Sequence, residues 1–279
     1  MSATHASSSS VRGLRSLALV LVGAIAMATG AAACAGRHAA PREPQLAGGE
    51  SPAAFARAIG LTLVHTGEAR RALPYLQRVV RLEPERPEPL CDLARAFMEL
   101  GLREQARGAL DQAVALAPRD PAAHALRGVL LDSVGDHTAA QAEHRQAITF
   151  APAVAAYRNN LGFSLYLTGA YPQALAALTE AARLDPSLRR VHNNLGFVYG
   201  SLGRFDDARE HFRLGGSVGE ATNNLGLVHE ARGELAEAYD AYAAALALAP
   251  DLARARANLA RVSARLGRPA PASDGVEGE

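Results

Sequence analysis

The chain has 279 residues, 49% of them apolar and only 5% aromatic, and its 29 basic residues, all arginine, face 28 acidic ones. A net charge of +1 argues against nucleic acid, which needs a concentrated basic face. Ala, Leu, Glu and Arg dominate and no segment alternates Val, Ile or Thr, so an all-α fold is expected.

At the amino terminus Arg12 and Arg15 precede an apolar run at 17–27, followed by small residues that end at Cys34. A basic segment, a short apolar core and small residues make an export signal, and this core is shorter than the roughly 20 residues of a bilayer span. With Ala32 and Ala33 directly before the cysteine, the segment resembles a bacterial lipoprotein signal. That resemblance implies removal of residues 1–33 and lipidation of Cys34. Ala31 stands where such signals most often carry leucine, which keeps a soluble exported protein and an uncleaved anchor as alternatives. Ala35, where an aspartate would retain the protein at the inner membrane, implies the periplasmic face of the outer membrane. Residues 34–52, polar and broken by Pro and Gly, read as a flexible tether.

Beyond the tether one spacing organises the chain. Gly67, Gly101, Gly135, Gly169 and Gly203 recur every 34 residues, the period of a tetratricopeptide (TPR) helix-turn-helix repeat. An alanine follows each by five residues, from Ala72 to Ala208, and a small residue precedes each by seven: Gly60, Ala94, Gly128, Gly162 and Gly196. The glycine suits a turn that needs positive φ, and the small residues suit the close crossing of two helices. Repeats are expected at 53–86, 87–120, 121–154, 155–188, 189–218 and 219–252, with a capping helix at 253–267 and a disordered tail at 268–279. The expected fold is a right-handed superhelical solenoid of six TPR repeats plus the cap.

The period breaks once. From Gly203 the next equivalent is Gly233, a step of 30, so about one helical turn is missing near Gly215, Gly216 and Gly219. Either a loop has drifted in length or the binding surface carries a local notch.

A solenoid without a separate catalytic domain points to protein binding, with no enzyme, cofactor, metal or small-molecule substrate expected. Cys91 has no base placed beside it, and lipidation of Cys34 would leave it unable to form an internal disulfide. The histidines lack H-E-x-x-H spacing. In TPR folds the first helices line the groove, and mapping their ligand-facing positions gives Arg57, Leu61, His65, Glu88, Arg95, Glu99, Asn159, Phe163, Tyr166, Arg190, Asn193, Phe197, Asn223 and Leu227. The phrase N-N-L-G at 159–162 and 193–196 and again at 223–226 suggests a division of labour. Asn159, Asn193 and Asn223 would face a peptide backbone, while Asn160, Asn194 and Asn224 would join neighbouring repeats. These positions show no concentrated basic cluster, so capture of a carboxylate is not indicated.

The run VHNNLGFVYGSLGRFDDAREHFR at 191–213, followed by EATNNLGLV at 220–228, resembles the TPR lipoproteins of Tad-type (tight adherence, Flp) pilus assembly systems. Asn194, Leu195, Tyr199, Gly200, Gly203, Arg204, Phe205 and Ala208 fall on that family's pattern, as do Ala221, Asn224 and Leu225. The resemblance implies a noncatalytic accessory protein, held at a membrane by its lipid, that assists assembly or placement of a secretin complex. The six-repeat lipoproteins of type IV pilus biogenesis, TPR adaptors for cell-wall hydrolases and a plain structural spacer are the alternatives.

Overall fold

The computed structural model describes residues 51–268; the expected signal, Cys34, the tether up to residue 50 and the tail from 269 onward lie outside the described residues. Among the described residues the protein is all-α, and the chain divides into two units between Pro152 and Ala153. The first unit holds three helix pairs: α1 (Pro52–His65) with α2 (Ala69–Leu82), α3 (Pro87–Glu99) with α4 (Arg103–Leu116), and α5 (Pro121–Ser133) with α6 (His137–Phe150). The second holds α7 (Ala155–Leu167) with α8 (Tyr171–Leu184), α9 (Arg189–Ser201) with α10 (Phe205–Gly215), α11 (Val218–Arg232) with α12 (Leu235–Leu248), and a final α13 (Ala253–Leu266).

The periodic glycines make the turns. Gly67, Gly101, Gly135, Gly169, Gly203 and Gly233 all have φ between 70° and 84°, and Gly267 adds a seventh at 63°. A side chain there would meet the following carbonyl, at a cost of about 1–2 kcal/mol. Each turn closes with the same backbone bond, from the residue after the glycine to the carbonyl five residues back: Glu68 to Leu63 at 2.7 Å, Arg204 to Tyr199 at 2.9 Å, Arg268 to Ser263 at 3.0 Å. Such closures satisfy carbonyls that a helix end otherwise leaves open. Arg268, assigned to the tail by its sequence, therefore belongs to the last turn. Prolines 52, 87 and 121 open first helices, where the missing amide proton costs nothing.

Within each pair the crossing rests on one small and one large residue. Gly60 faces Leu76, Gly128 faces His144, Gly162 faces Leu178, Gly196 faces Phe212 and Gly226 faces Tyr242; Ala94 and Leu110 hold the same two positions in the second pair. All six large side chains are fully buried. A Cβ on Gly196 would lie 2.5 Å from the Phe212 ring, so the crossing distance depends on its absence. Two of the six large residues are polar-tipped, and each finds an acid twelve residues earlier. His144 Nε2 lies 3.0 Å from Asp132 Oδ2, and the Tyr242 hydroxyl donates to Glu230 at 2.8 Å.

The 30-residue step falls on α10, which has 11 residues against 14 in every other second helix. The helix stops at Gly215, whose carbonyl accepts from Arg189 Nε at 3.1 Å and Asn193 Nδ2 at 3.2 Å. A Cβ on Gly215 would sit 2.3 Å from Asn193 Oδ1. Ser217 and Glu220 then start α11 with a reciprocal capping box, a pairing that satisfies two orphan donors. Gly200 lets α9 meet α11 closely, since a Cβ there would lie 2.6 Å from Val228. The missing turn is thus closed by side chains from α9 and by a cap.

Candidate protein-docking face

Successive first helices are tied together by residues at one pair of repeat positions. In the second unit these are amides: Asn194 donates to Asn159 at 2.8 Å, Asn224 to Asn193 at 3.4 Å, and Asn258 to Asn223 at 2.9 Å. The partners are 35, 31 and 35 residues apart, so the ladder continues across the contraction with the same four residues removed. In the first unit the joint between α1 and α3 is ionic: Arg57 Nε donates to Asp92 at 2.6 Å, again 35 residues on.

This arrangement corrects the expected division of labour between the asparagines. Asn159 and Asn223 are buried, and their carbonyls are taken by Asn194 and Asn258. Asn193 is half-buried and bonded to Gly215 and Asn224. Asn159, Asn193 and Asn223 therefore belong to the joint together with Asn194 and Asn224, because a buried amide must find partners and the neighbouring helix supplies them. Burial also withdraws Tyr166, Phe197 and Leu227 from the expected ligand surface. Tyr166 and Phe197 belong instead to a ring cluster: Phe163 stacks on Tyr166, Tyr166 lies 6.3 Å from Phe197, and Phe197 meets Phe212 edge-on at 5.0 Å. Burial pushes the Tyr166 hydroxyl up to about 12. Of the mapped set, Phe163 is half-buried, Arg190 is exposed, and Arg57 and Arg95 both lean on Asp92. Cys91 is buried at the position that Arg57 and Asn159 occupy in their repeats, and burial pushes its thiol up to about 12. A thiol so disfavoured as thiolate is a packing residue.

The ionic residues of the second unit lie where the sequence was read only as a cap. Glu230 on α11 is almost fully buried and accepts from Arg261 at 2.7 and 3.0 Å, from Arg265 at 3.0 Å and from Tyr242. Burial alone would raise this carboxyl, but the bonds from Arg261 and Tyr242 and the two guanidinium charges hold it below its ordinary range. One helix end away, Glu220 is shared by Arg254 and Arg189, the latter at 3.6 Å. Its carboxyl is held low chiefly by the Ser217 amide, then by Arg254. α13 thus repeats the first-helix pattern, with Asn258 in the ladder, Ala260 at the small position and Gly267 in the turn. That 34-residue register was the signal that places Arg254, Arg261 and Arg265 on the same face as Arg190. Among the described residues no group of three or more His, Cys, Asp or Glu side chains is placed to hold a metal.

Tetratricopeptide repeat families match residues 63–130 and 193–253, and a further TPR repeat family matches 164–203. The repeats are tetratricopeptide repeats. Cellulose synthase operon protein C of Escherichia coli K12 is 41% identical over 86 residues, 31% of this chain. The match spans only 7% of that relative's length. Among solved structures, PilW, a widely conserved type IV pilus biogenesis factor, is 16% identical, with 77% of this chain and 99% of PilW covered at a TM-score of 0.63. The APC/C hetero-tetramer Cut9-Hcn1 is likewise 16% identical at a TM-score of 0.63, over 91% of this chain and 47% of that one. At that identity both likenesses concern the fold, an all-α TPR solenoid suited to protein–protein interaction.

Proposed function

We propose that this TPR protein is a noncatalytic adaptor, tethered to a membrane through Cys34, that assists assembly or placement of a pilus or secretion secretin complex. The observation that carries the reading is the contracted repeat at 189–218. Its sequence follows the Tad-type pattern, and its missing turn is closed by Arg189, Asn193 and the Ser217–Glu220 capping box. On this reading the closed step is a local change of shape in the first-helix face rather than drift in a loop. The export signal adds a place: a lipid at Cys34 and a short polar tether would hold that face beside the periplasmic side of the outer membrane.

Two experiments test this reading. Metabolic labelling with palmitate should depend on Cys34, and label that persists in Cys34→Ala would remove the lipid anchor. Crosslinking in the native cell, followed by identification of the captured chain, should yield a secretin or another pilus-assembly component; consistent capture of cell-wall hydrolases would favour the adaptor alternative. The likeness to PilW makes a type IV pilus system the second reading, and the neighbouring genes would separate the two.

A further inference from the structure

Charge in the unit 153–268 is sorted by helix layer. Its first helices, α7, α9, α11 and α13, carry eight arginines and two glutamates, while α8, α10 and α12 carry three arginines and six carboxylates. A chain that is neutral overall therefore presents one strongly basic layer. The two glutamates of that layer do not cancel it. Each holds a pair of arginines: Glu220 holds Arg189 and Arg254, and Glu230 holds Arg261 and Arg265. Every pair keeps one uncompensated positive charge. The guanidinium groups are fixed by the carboxylate behind them, yet 38% to 67% of each arginine side chain is open to solvent. Arg190, exposed on α9, adds a further charge beside the first pair.

From this geometry we infer that the first-helix face of residues 153–268 binds an extended, acidic segment of the partner protein, with one carboxylate at each arginine pair. This deepens the adaptor reading and rests on it. Guanidinium groups held in place lose less freedom on binding and can offer bidentate bonds to a carboxylate. Glu220 and Glu230 are ten residues apart on α11, which sets the two pairs about 15 Å apart along the helix. An extended chain rises about 3.3 Å per residue, so the matching carboxylates stand about four or five residues apart.

The test uses the full chain and fluorescein-labelled 12-residue Gly/Ser peptides carrying two glutamates. Peptides with the glutamates five apart should bind at least about tenfold more tightly than those with glutamine in both places, and raised salt should weaken them. Arg254→Ala with Arg265→Ala, both at exposed side chains, should lose that binding while helical circular dichroism stays unchanged; Arg190→Ala should lose less. Equal binding of peptides with adjacent glutamates, or of heparin or anionic phosphatidylglycerol vesicles in place of the spaced peptide, would overturn the proposal. So would spaced-peptide binding that survives the double variant, appears only after residues 269–279 are deleted, or is displaced by a second copy of the chain. If the double variant still captures a pilus-assembly partner in the cell, the arginine face falls and the adaptor reading stands. Spacing-dependent binding with no such partner keeps the face and removes the pilus assignment.

Discussion

Arg57 donates to Asp92 across a joint in the unit 51–152, whereas Asn194 donates to Asn159 at the same repeat positions in the unit 153–268. The charge layers differ in the same sense. First helices of 51–152 carry three arginines against four carboxylates and its second helices seven against three, the reverse of the sorting in 153–268. Both units build the same helix pairs with the same glycine turns and small-to-large crossings. Backbone geometry and the core thus fix the repeat, and the joint and the surface are free to differ. Neutral amides form the rungs of the second unit, where Arg189, Arg254, Arg261 and Arg265 bond Glu220 and Glu230 on the neighbouring first helix instead, whereas the first unit uses Arg57 in the rung itself.

The largest effect should come from the acid that holds two arginines. Glu230→Ala leaves the Tyr242 hydroxyl without its carboxylate acceptor and removes the bonds of Arg261 and Arg265 to α11, and a loss of about 2–3 kcal/mol is expected from chemical unfolding. Gly196→Ala should cost about 2 kcal/mol, because its Cβ would stand 2.5 Å from the Phe212 ring. Ala94 already carries a methyl group opposite Leu110, so Ala94→Gly should cost about 1–2 kcal/mol, the helix penalty of glycine plus the loss of a fully buried methyl group. A Gly196→Ala variant as stable as the parent would show that the crossing can open to admit a methyl group. At the joints, Asn223→Ala strands the buried Asn258 amide and should cost about 1.5 kcal/mol at any salt concentration. Arg57→Ala leaves the buried Asp92 carboxylate with Arg95 at 3.8 Å as its ion partner, and its cost, about 1–2 kcal/mol, should change with salt up to about 1 M. A salt-sensitive Asn223 variant would break the distinction between the two joints.

The turns were legible because positive φ admits few residues, and the crossings were legible because a small residue opposite a large one repeats at a fixed offset. The asparagines were harder to read. N-N-L-G tells which residues recur but not which side of the helix meets the next repeat, and only the neighbour's register shows that Asn159 and Asn223 are consumed by Asn194 and Asn258. Composition also hid the basic layer. Glu220 and Glu230 sit on α11, Arg261 and Arg265 on a helix that looks like a cap, and their pairing across 31 and 35 residues depends on stacking. Gly267 marked α13 as a first helix, but without an apparent second helix after it the mark reads as an ending.

The smallest effect sharpens the comparison by pH. His124 and Glu143, 19 residues apart, bond at 2.7 Å in the first unit, and His192 and His211, at the corresponding positions, meet through their Nδ1 atoms at 3.2 Å in the second. His192 also bonds the Pro186 carbonyl through Nε2 at 2.9 Å, so its Nδ1 acts as acceptor and His211 donates. Burial first, and then repulsion from His192 when that ring is protonated, lower the affinity of His211 for a proton. A histidine held below its unfolded value near 6.5 adds stability above that pH and loses it as the pH falls through the folded value. Glu143 behaves differently. Burial opposes its ionisation, but bonds from Arg127 and His124 hold it low, so its contribution persists until the pH falls below the ordinary glutamate range. Between pH 7.5 and 5.5 the urea midpoint should therefore drop through the second unit, with the His211 ring signal titrating below that of an unfolded peptide. His211→Glu installs the first unit's pair in the second, and the drop over that interval should diminish. A midpoint equally pH-dependent in His211→Glu would place the acid sensitivity elsewhere in the chain.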